Sequence, residues 1–311
     1  MWDGAQLRFT PDRAEPDLPG PDWARLSLRC AGICSTDQQI LQGYMEFRGV
    51  PGHEVVGDVV EGPPAWLGRR AVVEINSACG TCPACARGLG RHCPTRTVLG
   101  ILGQDGAFAE QLVAPVANLH AIPESVPDEE AVFTEPLAAA FEILEQVHVT
   151  PGMRALVLGD GKLGQLCARV LHLANARVTL AGRHARKLQH APQEAVLASD
   201  LELAPTWDLV VEATGSEAGL ALALGLTRPR GTLVLKSTVA ASHSLSLAPV
   251  VINELTLVGS RCGPFAPALR ALADGRVSLR PLVDGEFSLQ DGQAAFARAG
   301  EPGVLKILLH P

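Results

Sequence analysis

The run Leu156-Val157-Leu158-Gly159-Asp160-Gly161-Lys162-Leu163-Gly164 decides the fold. Its apolar residues, from Ala155 to Leu158, form a short strand. A G-x-G-x-x-G turn follows, and the apolar spacing from Leu163 to Leu173 predicts a helix. Gly159, Gly161 and Gly164 allow a tight turn and a close approach of backbone N–H groups, including those of Lys162 and Leu163, to a pyrophosphate. Such a triplet alone is weak evidence. Its position between a strand and a helix is what makes it a dinucleotide-binding loop.

Working outward, strand and helix patterns alternate. A helix is expected over about Pro136–Val147, with the proline in the first turn, where its missing N–H costs nothing. Further strands are expected at Val178–Ala181, Leu209–Glu212, Thr232–Leu235 and Leu255–Val258. This alternation implies an α/β, doubly wound parallel sheet of the Rossmann type. Upstream, Gly and Pro recur between short apolar runs such as Val55-Val56 and Val59-Val60, which predicts mainly β structure. A last strand-like run, Val304–Leu309, closes the chain.

At 311 residues the chain suffices for two domains, each with its own core. With 47% hydrophobic and 19% charged residues it reads as an ordinary globular protein. The net charge of -7 would repel a phosphate backbone, so no nucleic-acid partner is expected. No apolar run is long enough for a membrane span, and the first residues lack the pattern of a secretory leader, so a cytoplasmic location is expected.

Four of the eight cysteines, Cys79, Cys82, Cys85 and Cys93, follow the spacing C-x2-C-x2-C-x7-C. Four thiolates complete a tetrahedral zinc shell and leave no open position, so this lobe is expected to hold a structural zinc. His92 is surplus to that shell. Cys30, Cys167 and Cys262 read as thiols without chemistry.

Two further motifs precede the lobe: Gly32-Ile33-Cys34-Ser35-Thr36-Asp37, and Gly52-His53-Glu54 followed by Val55-Val56-Gly57. Each is weak alone. In this order, with a four-cysteine lobe and a later dinucleotide loop, they resemble the medium-chain zinc alcohol dehydrogenase superfamily. The sorbitol, threonine and glucose dehydrogenase-like branch is the most similar part of it. The resemblance covers essentially the whole chain. It implies a GroES-like β domain, residues 1–134 and 265–311, carrying the zinc lobe at about 76–96. A Rossmann domain, residues 135–264, is inserted, and the active cleft is expected at their junction.

By the same resemblance Cys34 and His53 are ligands of a catalytic zinc. Glu54 either ligates the metal or replaces its water. Glu135, in Thr134-Glu135-Pro136-Leu137, is the candidate for a remaining ligand, direct or through water; the alternative is a carboxylate favouring a helix N-terminus. Asp37 suits the role of accepting an N–H from His53. Thr36 occupies the hydroxyl position that relays the substrate proton. Gln39 stands where many relatives have a relay histidine, and an amide takes up no proton near neutral pH.

Cofactor choice is read at the end of the second Rossmann strand, where NAD-binding folds carry an acid for the ribose hydroxyls. Here Gly182 holds that place and Arg183 follows, with His184, Arg186 and Lys187 nearby. Loss of the carboxylate and gain of a guanidinium fork favour NADP over NAD. Asp160 is expected to point to solvent. Thr214, Gly215 and Ser237 are candidates for contacts near the nicotinamide, and Lys306 for the cofactor phosphates. Tyr44, Phe47 and Arg48 are possible pocket residues. The expected activity is reversible oxidation of a secondary alcohol, in a polyol, sugar or amino-alcohol, using two zinc ions per chain in a homodimer or homotetramer. The alternatives are an NADPH-dependent aldehyde or carbonyl reductase, and a non-catalytic NADPH-binding protein with only the structural zinc.

Overall fold

The computed structural model describes residues 1–237 and 245–311. The chain divides into two compact units: Met1–Glu135 with Leu269–Pro311, and Pro136–Ala268. No helix among the described residues is long and apolar enough to cross a membrane.

The second unit is a six-stranded, wholly parallel sheet. In space its strands run Glu194–Leu197, Arg177–Gly182, Arg154–Leu158, Trp207–Glu212, Thr227–Leu235 and Thr256–Gly259. Numbered by sequence within the unit, that order is 3-2-1-4-5-6, the doubly wound arrangement, with its switch point beside the first strand. The strands are apolar because both faces are covered. Leu156, Leu158, Val210 and Leu233 share one core with Ala223 and Leu224 of the helix Glu217–Leu226. The dinucleotide loop leaves the C-terminal end of Arg154–Leu158, and the helix Lys162–Leu173 begins directly after it.

The first unit is β-rich. Strand Trp23–Gly32 lies at its centre, pairing with Glu54–Glu61, Gln111–Pro115 and Lys306–His310, all antiparallel. Its alternating burial reflects a sheet with one face packed and one wet. The register that sets Gly32 opposite both Glu54 and Leu308 converges three strand ends on one place. A separate three-stranded sheet, Asn76–Ser77, Thr97–Leu99 and Gly103–Gln104, flanks the four-cysteine segment. Phe47 packs with Trp2 and Ile40 in a small buried cluster, so it serves the core and not a pocket.

Candidate active site

Cys34 immediately precedes the helix Ser35–Ile40 and His53 immediately precedes the strand Glu54–Glu61. One side chain ties the two together. Asp37 is completely buried; its Oδ2 accepts the Cys34 N–H at 2.8 Å and its Oδ1 accepts the Gly52 N–H at 3.2 Å. The same Oδ1 stands 3.2 Å from His53 Nδ1. That approach lies off the line of a hydrogen bond, so Nδ1 has no aligned partner. Gly52 is required at its position: its φ of +102° is left-handed and a Cβ would meet the Phe108 ring at 2.6 Å.

The ligand atoms of Cys34, His53 and Glu54 all lie within 4.8 Å of one another. The set fits a divalent cation, because a thiolate, an imidazole and a carboxylate converge with Glu54 Oε1 buried and unpartnered. Burial opposes a charge on His53, but the Asp37 carboxylate outweighs it and holds the imidazole pKa well above its usual value. Proton and metal therefore compete for one electron-rich pocket. Thr36 Oγ1 lies 3.8 Å from Cys34 Sγ. Glu135, in the first turn of the helix Thr134–Gln146, is not among the gathered ligand atoms.

Lys306 does not meet the expectation of a phosphate contact. It is fully buried, its ammonium joined to Glu54 Oε2 and set 5.1 Å from the Phe133 ring centre. Gly32 leaves the space for this pair, since a Cβ there would collide with Glu54 Oε2. A buried carboxylate needs a counter-charge, and the strand register supplies one. No sequence pattern announces a pair separated by 252 positions.

In the lobe, the ligand atoms of Cys79, Cys82, Cys85 and Cys93 also lie within 4.8 Å of one another. Cys82 and Cys85 Sγ are 3.5 Å apart, and Cys79 and Cys85 Sγ 4.0 Å. These brackets fit the edge of about 3.8 Å in a tetrahedron of thiolates around zinc. Amide hydrogen bonding, first from Thr81, lowers the Cys79 thiol to about 5. Burial and then the neighbouring Cys82 push Cys85 up to about 11. By contrast, burial alone lifts Cys167 to about 11, and burial with the Asp128 charge lifts Cys30 to about 12. Burial thus favours the protonated thiol at both positions.

At the dinucleotide loop, Gly159 has a φ of +117° and a Cβ there would stand 2.5 Å from the Ala213 carbonyl. Gly161 faces open space, the position whose bareness lets a backbone approach a pyrophosphate. Gly164 packs so tightly on the Gly159 carbonyl that no side chain fits. Thr214 donates from both N and Oγ1 to the buried Glu212 Oε1, each at 2.6 Å. Ser237 Oγ accepts the Gly215 N–H at 2.9 Å, joining the loops that follow two adjacent strands.

Asp160 corrects its sequence expectation. It does not point to solvent but is buried, its Oδ2 accepting the His184 N–H at 2.7 Å and lying 3.0 Å from His184 Nδ1. A Cβ at Gly182 would collide with it. Arg183 beside it is exposed, and Lys187 is half-buried. The available signal was the pairing of an acid inside the glycine loop with a glycine where the acid belongs.

Known proteins share this fold. Residues 20–124 match the model of the alcohol dehydrogenase GroES-like domain. The chain is 29% identical to a 2-dehydro-3-deoxy-L-galactonate 5-dehydrogenase of Pseudoalteromonas atlantica, over 92% of this chain and 90% of that one. A zinc-binding dehydrogenase of Sinorhizobium meliloti, solved bound to NADP, superposes with a TM-score of 0.86 at 26% identity, covering 95% of this chain and 94% of that one. An alcohol dehydrogenase of Escherichia coli, solved with NADH, superposes with a TM-score of 0.88 at 26% identity, covering 96% and 94%. With the doubly wound sheet, the GroES-like unit and the motifs of both in one order, the chain resembles the medium-chain zinc-dependent alcohol dehydrogenases along its whole length.

Proposed function

We propose that the chain is a polyol or sugar dehydrogenase, reversibly transferring hydride between a secondary alcohol and a nicotinamide cofactor. The observation that carries this reading is the convergence of Cys34, His53 and Glu54, braced by Asp37. Those three residues would hold the catalytic zinc, with Glu135 left outside the set. The metal, when bound, acts as a Lewis acid that eases loss of the alcohol's proton and polarises the carbonyl in reverse.

The chain's own residues supply the rest. Asp37 fixes the backbone on both sides of the pocket and orients His53. Thr36 relays the proton, its Oγ1 accepting that of the substrate hydroxyl as its own hydroxyl proton is given up. It does not pass to Gln39, whose amide is no base, so the proton leaves to water. The bare N–H groups around Gly161 bind the pyrophosphate, and the four-cysteine lobe holds a second, structural zinc. The NADP preference read from Gly182 presupposes that no carboxylate stands there. Asp160 removes that premise, and NAD becomes the favoured cofactor. The reading extends to a homo-oligomer in a reducing cytoplasm, where thiolates remain available.

Metal analysis joined to a substrate panel tests this. Two zinc ions per chain are expected, with absorbance change at the nicotinamide band on polyols and aldonates. Cys34→Ser should lose one zinc, keep the other, and lower kcat by at least about 1000-fold. A single zinc in the unaltered protein would leave only the binding-protein alternative.

A further inference from the structure

Gly182 ends the strand Arg177–Gly182, where a dinucleotide fold that prefers NAD carries an acid. The volume that such a side chain would fill is not empty. A Cβ at 182 would collide with Cβ, Cγ and Oδ2 of Asp160. The loop and the strand end have exchanged residue types: the acid sits in the glycine loop and the glycine on the strand. Only one of the two positions can bear a side chain.

The displaced carboxylate is fixed in place. Asp160 is 7% exposed, and its Oδ2 accepts the His184 N–H at 2.7 Å. His184 Nδ1 stands 3.0 Å from Oδ2 and 3.2 Å from Oδ1. A carboxylate offers about four acceptor sites, so these contacts leave capacity for a diol. The cationic residues of the following turn, Arg183, Arg186 and Lys187, would by themselves welcome a phosphate. Arg183, the nearest of them in sequence, is exposed, where salt and water screen its charge. The Asp160 charge is buried and screened far less.

We infer that Asp160 does the work of the missing strand-end acid: seated over Gly182, it accepts the ribose hydroxyls of the cofactor and repels a 2′-phosphate, so the protein prefers NAD. This rests on the nicotinamide reading of the loop. The position of the acid, not its presence, is what departs from the ordinary dinucleotide fold.

Fluorescence titration of the zinc-loaded protein with NADH and NADPH tests the assignment by binding alone. Unaltered protein should bind NADH at least about tenfold more tightly than NADPH. Asp160→Asn keeps the shape and the His184 contacts but removes the charge; it should cut that ratio by about tenfold, chiefly by tighter NADPH binding. Asp160→Gly should act in the same direction, and Asp160→Gly combined with Gly182→Asp should restore the NADH preference. NADPH preference in the unaltered protein, an unchanged ratio in Asp160→Asn, or equal weakening of both cofactors would each overturn the assignment while leaving the dehydrogenase reading intact. Binding of neither cofactor would overturn that reading and the assignment with it.

Discussion

At the scale of single residues, two buried carboxylates organise the site in the first unit. Asp37 takes hydrogen bonds from Cys34 and Gly52 and so fixes where the Cys34 and His53 side chains start. Glu54 is held by Lys306, with both side chains at the bottom of the exposure range. Removing one member of a buried pair leaves the other charge unpaired, at a cost of about 3–5 kcal/mol. Lys306→Met is therefore expected to lower the unfolding free energy of the metal-stripped protein by that amount in a urea titration. Adding Glu54→Gln should recover most of the loss, since a neutral amide needs no counter-charge. Equal stability of Lys306→Met and the unaltered chain would remove the pair from this role. The lobe cysteines were legible because short spacing encodes their meeting, whereas Cys34 and His53, nineteen positions apart, were legible only through the family resemblance. The Lys306 partnership and the seat of Asp160 were not, because each depends on which strand ends the topology brings together.

At the scale of elements, the parallel sheet was legible wherever an apolar run was unbroken. Arg154–Leu158 and Trp207–Glu212 lie within two residues of their reading. Thr227–Leu235 begins five residues earlier than its apolar core, because Pro229 and Gly231 interrupt the pattern while Arg230 adopts a φ of +59°. Glu194–Leu197 was missed: it is four residues long, lies at the sheet edge and buries none of its side chains fully, so it carries no hydrophobic signal. The four-cysteine segment was legible as a lobe although it has almost no regular structure, only the short helix Pro83–Ala86 and a single 3-10 turn. An element so poor in buried apolar contacts depends on its metal for order. Cys93→Ser is expected to release one zinc per chain and to raise amide exchange across residues 76–104 by at least about 100-fold, leaving the Rossmann sheet unchanged. Exchange confined to the background rate would show that the lobe folds without its ion.

At the scale of the whole molecule, Thr256–Gly259 is an edge of the six-stranded sheet among the described residues. Unpaired N–H and C=O groups on an edge strand invite another strand, and soluble proteins protect such edges with charge, proline or cover. This strand, Thr-Leu-Val-Gly, has none of the first two. The preceding helix, Ala248–Ile252, compounds the exposure: Val251 and Ile252 are 76% and 77% exposed, and Leu247 beside them 61%. Three large exposed aliphatics close in sequence to this strand form a surface that water disfavours, and a second copy of the same chain, pairing edge to edge about a two-fold axis, would cover it. The expected state in solution is therefore a homodimer. Val251→Asp with Ile252→Asp places two charges on each side of that axis, four at the seam, where they meet like charges. Sedimentation velocity should show a dimer for the unaltered chain and a monomer for the double variant at micromolar concentration. Because the cofactor loop lies three strands from this edge, at the end of Arg154–Leu158, NADH binding should persist in the monomer. A double variant that stays dimeric would move the interface to another face of the molecule.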